Sequence, residues 1–271
     1  ESEKMMGRVL QQKKWDRTSY TLSSKVFFGW RTNNKPNQTG LSRKHIIEAC
    51  HEALGRLQTD YLDLYFCHRP DQNVPIEEVV WTMHNLITQG KILYWGTSQW
   101  SAAEIMEAHR VADQHHLIGP TVEQPQYNMF ERFKMEQDYL PVFKNKGLGT
   151  TIWSPLGAGF LTGKYNEGIP TDSRLSLEGF DWLKERWVQE GKIEKVKSLS
   201  VLAAELGISM AAMAIAWTLK NPNVTTTILG ATKATQLTEN LKALDAQKLL
   251  TTEVMERIDA ILGNKPFMDL A

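Results

Sequence analysis

The stretch YLDLYFCHRPD at residues 61–71 decides the fold of this chain. Its first half is apolar and aromatic, which is typical of a parallel strand buried on both faces. Pro70 cannot continue a hydrogen-bonded ladder, so the strand must end near His68. Folds with parallel sheets place their chemistry at the carboxyl ends of strands. His68 is therefore either a hydrogen-bonded core or loop histidine or a functional group.

The composition excludes several classes of protein. The chain has 271 residues, 42% of them hydrophobic, which suffices for one large domain or two small ones. Lys+Arg and Asp+Glu number 31 each, and the zero net charge argues against a general nucleic-acid binder. Cys50 and Cys67 match neither a metal-ligand spacing nor a disulfide framework, which indicates a reducing, cytoplasmic compartment. The chain has no run of 18 apolar residues, so we expect no membrane insertion.

Strand-like and helix-like patterns alternate six times along the chain. The strand patterns lie at 20–29, 61–68, 92–100, 120–128, 147–156 and 224–230. This alternation predicts a parallel α/β sheet within a single domain over residues 1–271, interrupted by a long irregular segment at 157–193. A doubly wound sheet and a barrel both accommodate six units. However, no G-x-G-x-x-G or P-loop opens a helix, which weakens the doubly wound nucleotide-binding interpretation.

The first residues, Glu1-Ser2-Glu3-Lys4, lack an initiator Met and already follow a helical pattern. A barrel of this type has eight βα units, whereas this chain shows six. Together with the abrupt start, this difference predicts a (β/α)₈ TIM barrel whose first two strands are missing from the chain. A barrel opened in this way would expose strand edges.

Polar or aromatic residues stand where the predicted strands finish. They are Lys25, His68, Ser98, Gln124 and the segment Trp153-Ser154-Pro155. In a barrel these ends converge on one face, and convergent polar groups mark a site, which favours a functional role for His68. Taken alone, Lys25 either extends its ammonium to solvent at a sheet edge or is functional.

Several long motifs cover essentially the whole chain. They are GLSRKHIIEA (40–49), YLDLYFCHRPD (61–71), YWGTSQWSAAEIMEA (94–108), EQPQYNMF (123–130), WSPLGAGFLTGKYNEGIPTDSR (153–174), ILGAT (228–232), QLTEN (236–240) and ILGNKP (261–266). In this content and order the chain resembles the aldo-keto reductases, and within them the branch similar to the cytoplasmic β subunits of voltage-gated potassium channels.

The resemblance implies a (β/α)₈ barrel that reduces aldehydes and ketones with NADPH. Lys25 looks like the family's catalytic lysine and His68 like the histidine that orients the carbonyl. The lysine lowers the pKa of a proton-donating tyrosine, and an aspartate pairs with the lysine. That tyrosine and aspartate belong to a segment upstream of Ser2, so a chain of these 271 residues alone is expected to be inactive. Turnover by it would contradict this expectation.

The resemblance also implies a set of cofactor contacts and no metal. Trp153 would stack on the nicotinamide, and Ser98, Gln99 and Gln124 would bind near its carboxamide. The remaining expected NADP(H) contacts are Ser154, Pro155, Leu156, Gly157, Ala158, Lys164, Arg174, Gly230, Thr232, Gln236, Glu239 and Asn240. Backbone at 154–158 would follow the pyrophosphate, and Gly230 would allow close backbone approach.

The cations of this set have an alternative interpretation. Without the motif, Lys164, Lys233 and Arg174 would be taken for solvated loop residues, whereas with it they would meet phosphates. Asp172 is a departure, because relatives of the channel type often carry an aromatic residue there. An acid beside a phosphate is unfavourable, so the contact at that position is in doubt.

Two functions remain open. One is an NADPH-dependent carbonyl reductase acting on a small carbonyl substrate, its pocket lined by Trp30 and Trp100 unless these are ordinary exposed or core aromatics. The other is a cofactor-bearing accessory subunit that docks as a homotetramer on a potassium channel α subunit and turns over little. His68 favours the first, because the animal channel subunits carry Asn there. The segments 94–108 and 153–170 favour the second.

Overall fold

The computed structural model describes residues 1–266. The helices are α1 (Ser2–Lys13), α2 (Arg43–Leu57), α3 (Ile76–Thr88), α4 (Ala102–His115), α5 (Leu140–Lys146), α6 (Asp181–Trp187), α7 (Glu190–Glu205), α8 (Met210–Leu219), α9 (Ala234–Leu241), α10 (Ala243–Ala246) and α11 (Thr252–Leu262). The strands are β1 (Ser23–Val26), β2 (Leu62–Cys67), β3 (Ile92–Thr97), β4 (Val122–Glu123), β5 (Gly149–Ile152) and β6 (Thr226–Thr227). A π-helical turn spans Lys134–Asp138, and 3₁₀ turns span Arg17–Ser19, Gly157–Thr162, Arg174–Ser176 and Gln247–Leu249.

The chain divides into two compact units. The first comprises Glu1–Gln124 and Pro141–Gly149, and the second comprises Pro125–Leu140 and the chain from Thr150 onward. The residues expected to act on the carbonyl therefore belong to the first unit. Most of those expected to hold the nucleotide belong to the second.

Four parallel strands form the sheet of the first unit in the order β1-β2-β3-β4. The register pairs Val26 with Cys67, Cys67 with Thr97, and Thr97 with Glu123. The last residues of the four strands thus stand level, and the residues that follow lie at one edge of the sheet. The four strands lie within the predicted patterns, although β1, β3 and β4 are shorter than the stretches 20–29, 92–100 and 120–128 suggested.

Two helices of the first unit begin at serine caps. The Ser42 hydroxyl accepts the His45 N–H at the start of α2, and Ser101 forms a capping box with Glu104 at the start of α4. Both free cysteines of the chain are buried in this unit. The largest apolar side chains of its core, all nearly inaccessible, are Leu41, Ile46, Tyr65, Phe66, Trp95 and Trp100.

The second unit contains β5, β6 and most of the C-terminal helices. β5 and β6 pair in parallel through Thr151–Thr226 and Ile152–Thr227. The expectation of an irregular segment at 157–193 is partly wrong, because α6 forms within it and α7 begins before its end. Leu183 and Trp187 lie one turn apart on α6. Their side chains are buried in this unit and stabilise the helix.

A buried ionic cluster holds the second unit together around Arg132. The guanidinium, 5% exposed, donates to Glu136 at 2.8 Å and to Asp259 at 2.7 Å, and it lies 5.1 Å from the ring centroid of Trp217. The Tyr127 hydroxyl donates to Glu136 at 2.7 Å. Because buried charges are costly without partners, removing any member would leave another uncompensated.

The parallel α/β architecture is confirmed, but the eight-stranded barrel is not, since the described residues form six strands. Within residues 1–266, no single helix is long and apolar enough to cross a membrane. Gly191–Glu205 and Met210–Leu219 meet the length and composition test only as a pair, bent by 91°.

Candidate functional site

His68 lies just beyond the end of β2 in the first unit. Its backbone N–H donates to the Val26 carbonyl at 2.8 Å, and its ring meets Phe28 edge-on at 5.2 Å. Partial burial and the positive charges of Lys25 and Arg69 lower the pKa of His68 to about 4. The imidazole is therefore neutral at pH 7 and can donate a single ring N–H to an acceptor.

Lys25 lies on the neighbouring strand, where it pairs with Phe66. Desolvation and the charge of Arg69 lower the pKa of Lys25, and Glu3 partly opposes them. The side chain is nonetheless largely exposed to solvent, so we expect the ammonium to stay charged at pH 7. A charged ammonium and a neutral imidazole on adjacent strand ends are suited to stabilising negative charge on a carbonyl oxygen.

Ser98 and Gln124 are buried where β3 and β4 end, with 1% and 4% of their surfaces exposed. The Ser98 hydroxyl donates to the Gln124 carbonyl at 2.8 Å. The Ser98 N–H donates to the Cys67 carbonyl at 2.9 Å, and the Gln124 N–H donates to Thr97 at 2.8 Å. The predicted residues brought to this one edge are Lys25, His68, Ser98, Gln99 and Gln124.

The two tryptophans expected at the substrate pocket have different environments. Trp30 is exposed, but its indole N–H donates to Glu52 at 2.5 Å and the Arg31 guanidinium lies 4.5 Å from its ring centroid. Trp100 is 1% exposed and lines a pocket of about 210 Å³ with Leu41, Pro70, Asp71, Gln72, Val74, Ile76, Val79 and Glu104. Their contact with substrate stays a prediction.

In the second unit, the segment after Trp153 is a turn built from left-handed backbone. The φ angles are +57° at Ser154, +53° at Gly157, +57° at Ala158 and +90° at Gly159. The Gly157 N–H donates to the Ser154 carbonyl at 3.0 Å, and the Ala158 N–H donates to the Ser154 hydroxyl at 3.3 Å. Buried Asn128 anchors the turn, because its amide also donates to the Ser154 carbonyl, at 3.0 Å. The turn therefore uses some of the amides that were expected to face a pyrophosphate.

Cations occur on the loops that follow this turn. Lys164 lies across Gly159, where an added Cβ would come within 3.0 Å of the Lys164 Nζ. Arg174 lies in the 3₁₀ turn that follows, and the Lys233 ammonium is 3.8 Å from the Asp172 carboxylate. Ammonium and guanidinium groups suit phosphate oxygens, whereas the carboxylate beside Lys233 belongs to Asp172, the acid that the sequence analysis noted as a departure.

The residues expected at the adenosine end cluster around the start of α9. The Gln236 side-chain oxygen accepts the Thr232 N–H at 2.9 Å, and Asn240 is buried while Glu239 is partly buried. At Gly230, no atom of residues 1–266 other than the glycine and its two chain neighbours lies within 4 Å of an added Cβ, so the space there is open. Apart from Asp172, the cations Lys164, Arg174 and Lys233 and the polar groups at the start of α9 fit the chemistry of a phosphorylated nucleotide.

The sequence analysis missed four residues that shape these regions: Arg69, Thr97, Glu123 and Asn128. Glu123 did stand out as a charge inside a strand pattern, which is the signal that could have identified it. Arg69 donates to the His68 carbonyl at 2.5 Å. Asn128 gave no signal, because short polar residues are common in any turn.

Comparison with known proteins gives the family. Residues 1–263 match the model of the aldo/keto reductase family. A "Probable voltage-gated potassium channel subunit beta" of Oryza sativa subsp. japonica is 48% identical over 98% of this chain and 80% of its own length. A protein of the same name from Arabidopsis thaliana is 47% identical over the same shares. A "Putative voltage-gated potassium channel subunit beta" of Schizosaccharomyces pombe is 48% identical over 98% of this chain and 77% of its own. The chain belongs to the aldo/keto reductase family, a family of oxidoreductases.

Proposed function

We propose that this protein reduces aldehydes or ketones to alcohols, with NADPH as the hydride donor. The observation that carries the proposal is that His68, whose pKa is lowered to about 4, follows the end of β2, while Lys25 lies on the neighbouring strand β1 at the same edge of the first unit. Family membership supports the oxidoreductase class. The choice of NADPH and of a carbonyl substrate is our inference.

In this proposal His68 binds and orients the substrate. Its pKa near 4 means that it offers a hydrogen bond without surrendering a proton at neutral pH. Lys25 stabilises the negative charge that develops on the same oxygen as hydride, which NADPH supplies when bound, reaches the carbon. The tyrosine and aspartate implied by the resemblance match no residue of this sequence, so we assign no proton donor within it.

The remaining residues bind the nucleotide. Ser98 and Gln124 hold the carboxamide in the first unit, while Lys164 and Arg174 contact phosphates in the second. Gly230 permits close approach of the adenosine, since the space around it is open. These assignments rest on the resemblance and on the donor chemistry of each side chain.

The test is an NADPH titration by fluorescence, followed by aldehyde addition, on a version of the protein extended upstream of Glu1 and on two variants of that version. Lys25→Met and His68→Leu should each bind NADPH yet lose about 100-fold in kcat/KM, because each removes a group that stabilises the oxyanion. His84→Gln is the matched control. His84 accepts the Ile118 N–H at 3.2 Å, away from the strand ends, and turnover should persist. Tight NADPH binding with no oxidation by any aldehyde would contradict the reductase proposal.

A second function is favoured by the names of the relatives, which three times read as a voltage-gated potassium channel subunit beta. In that case the protein would be a cofactor-bearing accessory subunit, in a homotetramer, of a potassium channel α subunit. Co-purification with such a subunit, together with NADPH binding and negligible turnover, would place this function ahead. Turnover without co-purification would favour the reductase.

A further inference from the structure

Glu123 is a fully buried acid at the last position of β4. Removing a carboxylate from water costs several kcal/mol unless hydrogen bonds and opposite charge compensate it. A strand end could accommodate an apolar residue without this cost. The partners of the carboxylate therefore indicate what it contributes.

The two carboxylate oxygens bind the end of the neighbouring strand. The Thr97 hydroxyl donates to one at 2.5 Å, and the Gln99 N–H donates to the other at 2.6 Å. Gln99 has φ +63°, a left-handed conformation that costs a residue other than glycine about 1 kcal/mol or more. Glu123 thus holds the chain on both sides of Ser98 and fixes a turn that would otherwise be unfavourable.

Ser98 is held from the other side as well. Its hydroxyl donates to the carbonyl of Gln124, the residue directly after Glu123, and the Gln124 N–H donates to Thr97. Glu123 therefore binds both residues that flank Ser98, and it directly precedes Gln124 in the chain. Ser98 and Gln124 are the proposed carboxamide contacts. Any shift of the carboxylate would move both.

Glu123 also acts on the third strand end through charge. Burial lowers the pKa of Arg69, and the negative charge of Glu123 opposes that shift. Arg69 in turn donates to the carbonyl of His68. One carboxylate is thereby coupled to the ends of β2, β3 and β4.

We propose that Glu123 is a positioning residue that sets the Ser98–Gln99 turn and Gln124 in the geometry that binds the nicotinamide half of the cofactor. The inference rests on the proposed function. A positioning role differs from a purely structural role in one measurable respect. The loss of a positioning residue should weaken nicotinamide binding specifically, whereas the loss of a structural residue should weaken binding only in proportion to the loss of stability.

The experiment compares Glu123→Gln with Asp63→Asn in the full protein. Asp63 is a matched control, because its partly buried carboxylate also accepts a backbone N–H, that of Leu22 at 2.7 Å, and a charged donor, Arg17 at 2.6 Å. It lies at the start of β2, at the opposite edge of the same sheet. Both substitutions keep the size of the side chain and remove its charge.

Three quantities are measured for each protein: the Kd for NADPH, the Kd for adenosine 2′,5′-bisphosphate, which lacks nicotinamide, and the thermal midpoint. Glu123→Gln should raise the Kd for NADPH about tenfold, the effect of losing charged hydrogen bonds, and leave the bisphosphate Kd unchanged. Asp63→Asn should lower the thermal midpoint without changing either Kd. If Glu123→Gln does not fold, Thr97→Val, which removes one donor, should raise the NADPH Kd about threefold.

Equal changes in both Kd values, or an unchanged NADPH Kd in the folded Glu123 or Thr97 variant, would overturn the inference and leave Glu123 a structural residue. Failure of the unsubstituted protein to bind NADPH would overturn the proposed function as well. The two failures are distinguishable, because the second appears before any substitution is made.

Discussion

The strand edge of the first unit and the turn at residues 154–159 of the second unit hold their proposed ligand contacts by opposite means. At the strand edge, the buried side chains of Ser98 and Glu123 hydrogen-bond the backbone of Gln124 and Gln99, respectively. In the turn, left-handed backbone at Gly157 and Gly159 creates the shape, and side chains such as Lys164 lie across it. Substitutions should therefore act through charge and hydrogen bonding in the first region and through backbone conformation and packing in the second.

The largest expected effect is a loss of stability when the Arg132 cluster of the second unit is broken. Arg132→Met leaves the Glu136 and Asp259 carboxylates without their common partner, and should reduce the free energy of unfolding by about 3–5 kcal/mol. Arg257→Met is the control, because the Arg257–Glu205 pair is half exposed and should matter by less than about 1 kcal/mol. Urea unfolding followed by tryptophan fluorescence gives both values, and similar losses would contradict the assignment.

The turn itself is tested by Gly157→Ala. The new Cβ would lie 2.7 Å from the Trp187 ring at a φ of +53°, so we expect a loss of about 1–3 kcal/mol in unfolding free energy. Gly191→Ala, inside α7 with nothing within 4 Å of the added Cβ, should instead stabilise by about 0.4–1 kcal/mol. The same Gly→Ala substitution should then lower the unfolding free energy at one position and raise it at the other. Thermal unfolding of both variants would reveal the difference.

The strand edge should respond to pH through His68. The pKa of His68 in the folded chain, about 4, lies below the ordinary 6.5. Between these two pH values the imidazole is therefore protonated in the unfolded chain but neutral in the folded chain. The stability that His68 contributes is complete above pH 6.5 and is lost as the pH falls toward 4. Burial also lowers the pKa of His45 and His109, so the thermal midpoint of the protein should be compared with that of His68→Asn from pH 7 to pH 4.5. A constant difference between the two would contradict the shifted pKa.

The smallest effect is expected at Asp172, on the loops of the second unit. Asp172→Asn frees the Lys233 ammonium for a phosphate and should tighten NADPH about two- to threefold, with NADH unchanged, because exposed ion pairs are weak. Asp245→Asn breaks a comparably exposed pair with Lys248 and serves as the control. Equal gains in both variants would indicate a general charge effect.

The difference between the regions explains what the sequence could predict. Strand periodicity placed His68 and Ser98 at an edge, because the ends of adjacent parallel strands must lie together. The pattern could not show that Glu123 bonds the amide of Gln99, since that contact depends on the register between β3 and β4. In the second unit, helix α6 went unpredicted within the segment 157–193 that was expected to be irregular, because the burial of Leu183 and Trp187 could not be inferred from so short a pattern. The eight strands were inferred from six βα units, the abrupt start and the general architecture of a barrel, and they are not confirmed, since the described residues form six.

The two buried cysteines give the first unit a built-in reporter. Burial raises the pKa of the Cys50 thiol to about 12 and raises that of the Cys67 thiol further. Neither forms the reactive thiolate at neutral pH, so alkylating reagents should leave the folded protein unmodified. Because the second unit contains no cysteine, the rate of thiol labelling would measure the opening of the first unit alone, without any introduced probe.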